Sequence, residues 1–233
     1  MRRSLVTAAV LLALAGSLGA APADAPPLPA RLADTGGGSQ LITAEAPDTS
    51  STTGTVTWWE RRGGRWAEAG SAPARFGANG LAEGATREQG TNTTPTGLYD
   101  LPYAFGIEDA PAGTTYPYRE VTEDSWWCQD NDSRAYNRWV EPRPADCRAA
   151  KAEHLASYGT QYAHALVIGF NYDRPVRNRG AGIFLHVNGR GATAGCVSVP
   201  ADAMAEILAW ADAERAPHIA VGTSSGPAAI TRY

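Results

Sequence analysis

The chain holds three cysteines, Cys128, Cys147 and Cys196, and only Cys196 sits where a thiol could do chemistry. Ile183-Phe184-Leu185-His186-Val187 is a short apolar run. An eight-residue loop with three glycines follows, Asn188 to Gly195, and the chain returns at Cys196 into Val197-Ser198-Val199. If the two flanks pair as neighbouring strands, facing residues approach to about 4.5–5.5 Å at their α-carbons. The His186 ring would then reach the Cys196 thiol. A thiolate is the nucleophilic form of cysteine, and a free thiol ionises only near a pKa of about 8.5. An adjacent imidazole takes the proton and can return it to a leaving amine. Gly195 lets the backbone turn sharply and bares N–H groups near the sulfur. Such groups can hold an oxyanion, a contact worth about 3–4 kcal/mol elsewhere. Cys196, His186 and Gly195 are therefore the catalytic candidates. The plain alternative is a glycine-rich loop with a buried cysteine and an incidental histidine.

The other two cysteines read differently. In an oxidising compartment an odd count points to one pair and one free thiol. Cys128 and Cys147 lie 19 positions apart and are the natural pair. Closing that loop is worth about 3 kcal/mol in the chain-entropy model. Around them Trp126, Trp127, Tyr136, Asn137 and Trp139 form an aromatic cluster. It is either a stapled core flap or a substrate wall, and on the second reading Trp127 and Asn137 bind substrate. Arg190, inside the His186–Cys196 loop, could grip a substrate carboxylate in bidentate fashion, or be a solvated loop charge. His154, His164 and His218 are scattered singles without metal-ligand spacing. No metal and no cofactor are expected.

These residues need a scaffold. Arg2 and Arg3, the uncharged run Leu5 to Leu18 and the small residues near Ala23-Asp24-Ala25 read as an export signal over residues 1–25. Residues 26–53 are expected to be a flexible linker and N-terminal segment, and 54–233 one catalytic domain outside the cytoplasm. Net charge −4 argues against nucleic acid as partner. Hydrophobic residues at 43% supply a core. Thr55–Trp59 alternates as a strand, Gly63-Gly64 turns, and Arg65-Trp66-Ala67 returns as a hairpin. Gly77 to Gly90 reads as a loop, and Thr94 to Tyr99 as a turn entering a strand. Strands are also expected at Tyr162–Phe170, Ile183–Val187 and Ile219–Gly222. Cys147–Tyr158 reads as a helix stopped by Gly159. Ala201–Glu214 follows Pro200, with Met204, Ile207, Leu208 and Ala211 on one face, and reads as an amphipathic helix. The sum is a mainly β domain with short helices.

The sequence resembles the L,D-transpeptidase catalytic domain, or YkuD, family. That family carries a histidine ending a strand, then a loop and a signature written Ser-His-Gly-Cys-X-Arg or -Asn. Here His186 and Thr193-Ala194-Gly195-Cys196-Val197-Ser198 match it. Gly77-Ala78-Asn79-Gly80-Leu81, Thr94-Pro95-Thr96-Gly97 and Phe105-Gly106 also resemble family segments. Tyr136-Asn137 is similar to the branch whose signature reads Thr-Ala-Gly-Cys. The likeness spans residues 54 to 222. It implies small mixed sheets packed together, and a secreted enzyme of peptidoglycan biosynthesis that shapes the cell wall. In such an enzyme Cys196, with His186 as base, displaces the terminal D-alanine of a stem tetrapeptide to form a thioester, and an amine of a second stem displaces the thiol in a 3→3 cross-link. Water as acceptor would make an L,D-carboxypeptidase. Thr193 joins the substrate-binding candidates, and carbapenem-type compounds become candidate inhibitors. Ala194 stands where the signature has histidine, and Ser198 where it has Arg or Asn. Those departures keep open a third reading, a non-catalytic wall-binding domain.

Overall fold

The computed structural model describes residues 26–230, and the expected export signal over residues 1–25 lies outside them. The frame is a mixed sheet with few short helices, as the strand-rich sequence leads one to expect. Its first half is built on the hairpin of β2 (Thr53–Arg62) and β3 (Arg65–Arg75), with a register shift between Trp58 and Trp59. Next to β2 lies β1 (Gln40–Ala46), whose other neighbour is the parallel β14 (His218–Thr223). The half ends with β5 (Thr94–Asp100) and β4 (Leu81–Glu83).

The second half runs β13 (Val197–Val199), β12 (Phe184–Val187), β11 (Ala165–Val167), β6 (Ala104–Gly106) and β7 (Tyr118–Glu120). The halves join through one pairing, Ser198 with Arg75. Ile42, Val56 and Trp58 from the first share a core with Leu166, Leu185 and Val197 from the second. Helix α1 (Ala201–Trp210) adds Met204, Ile207 and Leu208 to that core. Burying a side chain of this kind stabilises by about 1.5–3 kcal/mol. Among the described residues, no helix is long and apolar enough to cross a membrane.

A second sheet orders β10 (Ala152–His154), β8 (Trp126–Cys128) and β9 (Arg138–Val140). A disulfide joins Cys128 at the end of β8 to Cys147. Beside it, the Asp130 carboxylate accepts hydrogen bonds from the Arg148 backbone N–H at 3.0 Å and from Arg148 Nε at 2.6 Å.

Three expectations need correction. Residues 26–53 are not all linker, because β1 lies between two strands at the heart of the sheet and is largely buried. No helix spans Cys147–Tyr158. Two short 3-10 turns, Ala149–Lys151 and Leu155–Ser157, flank β10, which is paired to β8. Helix α1 stops at Trp210 rather than Glu214, and the Asp212 side chain then caps a separate 3-10 turn by accepting from the Glu214 N–H.

Candidate functional site

Strands β12 and β13 are neighbours, but they run parallel, with Leu185 opposite Val197 and His186 opposite Ser198. Successive side chains on a strand point to opposite faces. Phe184, His186, Cys196 and Ser198 therefore share one face, and His186 and Cys196 both line one cleft. Extending the register by one step puts Cys196 beside Phe184, so His186 lies two residues further along, roughly 6.6 Å by strand geometry. The sulfur uses nearer partners. It donates to the Gly182 carbonyl at 3.5 Å and accepts from the Phe184 N–H at 3.4 Å. His186 Nδ1 lies 2.8 Å from the Val187 carbonyl, which fits a proton on Nδ1 and a bare Nε2. No hydrogen bond joins the sulfur to the ring among the described residues.

The electrostatics follow from burial. Cys196 is 9% exposed and His186 is 6% exposed. Desolvation, then the charge of Glu153, pushes the Cys196 thiol up to about 12. Desolvation lowers His186 to about 4. Both shifts oppose a thiolate–imidazolium pair, because burial penalises the charged form of each group. Cys128 and Cys147 are closed to nucleophilic chemistry by their disulfide, which leaves Cys196 as the free thiol. Burial holds that thiol neutral, and among the described residues no base is hydrogen-bonded to it. The resting site therefore does not show the activated cysteine nucleophile expected from the sequence, on which the transpeptidase and carboxypeptidase readings depend.

The cleft holds about 570 Å³. The loop from Gly189 to Gly195 and the segment Gly180–Ile183 line it, together with Ala152 and Glu153 of β10 and the adjoining Gln129, Ala150 and Lys151. Arg190 is exposed in this lining. Thr193 also lines it, yet its hydroxyl is committed to the turn, donating to the Cys196 carbonyl at 2.7 Å and accepting from the Gly195 N–H at 3.1 Å. The Gly195 N–H is thereby occupied and does not face an empty oxyanion position. Gly195 itself sits at φ 143, where a β-carbon would press on Thr93 and Arg87.

Trp127 and Asn137 do not line the cleft. Each is 1% exposed, which corrects their assignment to substrate binding. They position the cleft from behind. Asn137 Oδ1 accepts from Trp127 Nε1 at 2.9 Å and from the Gly182 N–H at 3.0 Å. Gly182 is the residue whose carbonyl accepts the Cys196 S–H hydrogen bond, so the stapled sheet sets where the sulfur's partner stands.

Two charged residues of the cleft carried no sequence signal. Glu153 is its only carboxylate among the described lining residues. Its oxygens accept from the Tyr162 hydroxyl and from Gln129 Nε2, and burial pushes it up to about 7. Tyr162 in turn meets the His186 ring edge-on at 5.6 Å between centroids. Arg87 is 6% exposed and reaches the same cleft from the loop between β4 and β5.

Comparison with known proteins bears on this site. A family model described as the L,D-transpeptidase catalytic domain, YkuD, matches residues 48–225. No curated protein matches the chain. Among solved structures it is similar to Bd1075 of Bdellovibrio bacteriovorus, at 17% identity and a TM-score of 0.36. That likeness covers 78% of this chain and 47% of the other, so the chain spans about half the length of that protein.

Proposed function

The chain belongs to the YkuD family of L,D-transpeptidase catalytic domains, and on that premise we propose that its cleft binds peptidoglycan stem peptides as a wall-binding domain, without an activated cysteine. Domains of this family are generally extracytoplasmic or wall-associated, and peptidoglycan is their general substrate class. Within the family we assign the chain to the Thr-Ala-Gly-Cys branch, on Thr193-Ala194-Gly195-Cys196. The export signal over residues 1–25 belongs to the same proposal.

The observation that carries it is the state of Cys196, a neutral buried thiol whose hydrogen bonds go to Gly182 and Phe184 rather than to His186. The cleft suits a peptide in size, since ligand pockets run from about 300 to 1,000 Å³. Its cations, Arg87, Lys151 and Arg190, suit a ligand rich in carboxylates.

Calorimetric titration with a stem tetrapeptide tests the reading. Saturable binding is expected, unchanged in Cys196→Ala, with an intact peptide recovered afterwards. Mass spectrometry after carbapenem treatment should show an unmodified protein. Release of the terminal D-alanine, or a covalent adduct on Cys196, would overturn the proposal in favour of an enzyme.

A further inference from the structure

Arg87 is a buried cation without a counter-ion among the described residues. Nε donates to the Thr93 carbonyl at 2.7 Å and Nη1 to the Arg179 carbonyl at 3.1 Å. The guanidinium carbon stands 5.7 Å from the centre of the Phe170 ring. These contacts fix the fork in place. Nη2 has no hydrogen-bond partner among the described residues and points to the cleft floor, where a β-carbon on Gly195 would come within 2.8 Å of it. The acidic groups nearest in charge are Cys196, Tyr136 and Tyr99, all of them raised by burial and so neutral in the ordinary pH range. A desolvated charge is costly unless an anion meets it. A planar fork held on one side and bare on the other matches a carboxylate.

We infer that Arg87 is a carboxylate-binding residue, anchoring one acidic group of the bound peptide beside Cys196. This rests on the stem-peptide reading and adds to it the residue that fixes the ligand's register. Glu153 lies in the same cleft and accepts hydrogen bonds, so a ligand carrying both a carboxylate and an amine finds a partner for each.

The test uses three versions of the tetrapeptide on the intact protein. One is unmodified, one has its terminal carboxylate amidated, and one has all its internal carboxylates amidated. One amide should lower affinity about tenfold to a hundredfold, the usual range for a charge-assisted hydrogen bond. That amide identifies the anchored group. In Arg87→Gln the same amide should cost nothing further, and Arg87→Lys should keep part of the discrimination. Equal affinity of the native protein for all three peptides would overturn the inference and leave the stem-peptide reading standing. So would a loss on amidation that persists in full in Arg87→Gln. Failure of all three to bind would remove the stem-peptide reading, and this inference with it.

Discussion

The large sheet and the small β8–β10 sheet both furnish the cleft, yet they are held together by different physics. The large sheet rests on apolar burial, with Ile42, Leu166, Leu185 and Met204 wholly excluded from water. The small sheet rests on a disulfide, on the Asp130–Arg148 contact and on the saturated amide of Asn137. Aromatic side chains bridge the two, with Trp127 edge-on to Phe184 at 4.9 Å and Phe184 edge-on to Tyr162 at 5.6 Å. Cys196 packs in that bridging cluster. The large sheet therefore supplies the thiol, and the small one determines what surrounds it. A covalently stapled wall keeps Gly182 on the sulfur, which is a reason for the thiol to rest protonated.

This contrast can be broken in several places. Trp127→Ala should have the largest effect, about 3–5 kcal/mol in urea unfolding, because it empties the interface between the sheets. Replacing Cys128 and Cys147 together with serine should cost about 3 kcal/mol. Hydrogen exchange should then rise in β8–β10 while β1 and β2 stay protected. Asn137→Ala should cost about 1–3 kcal/mol, since it strands buried donors and the Gly182 N–H. It should also make Cys196 alkylate faster, because the Gly182 loop loses its anchor.

The pH profile gives a smaller, signed effect. The unfolded Glu153 carboxyl ionises near 4.5 and the folded one near 7. Between those values the folded state holds more protons, so this group lowers stability as pH rises. His186 acts the other way, gaining stability for the fold as pH climbs from about 4 to 6.5. Glu153→Gln should remove the falling component and leave a net rise, seen as a melting temperature that increases across that window. Arg190→Ala should change stability by less than about 0.5 kcal/mol, as expected for an exposed side chain, and tell only in ligand binding.

Much of the large sheet was legible in the sequence, for local reasons. Gly63-Gly64 between two β-branched and aromatic runs specifies the β2–β3 hairpin, and the spacing of Met204, Ile207, Leu208 and Ala211 specifies the buried face of α1. Strand β1 was hidden because it is covered on both faces, so Gln40-Leu41-Ile42-Thr43 shows no alternation. The small sheet misled through propensity. Ala149-Ala150-Lys151-Ala152-Glu153-His154 is rich in helix formers, but pairing of β10 with β8 and the Cys147 tether override that preference. At the site, Cys196 and His186 were visible as a pair near Gly195, whereas their diagonal offset depends on a parallel register that spacing does not encode. Arg87 reads as an ordinary loop charge in Thr86-Arg87-Glu88. Only its contacts with Thr93, Arg179 and Phe170, brought together by folding, make it a buried fork.

The rate of Cys196 alkylation as a function of pH, with Cys196→Ala as the blank, addresses the resting thiol directly. A buried, protonated thiol requires a rate that keeps climbing with pH and does not level off below about pH 9. A plateau of full reactivity at or below about pH 7 would mean that a thiolate already stands beside His186, and would contradict a cysteine that rests neutral on the Gly182 carbonyl.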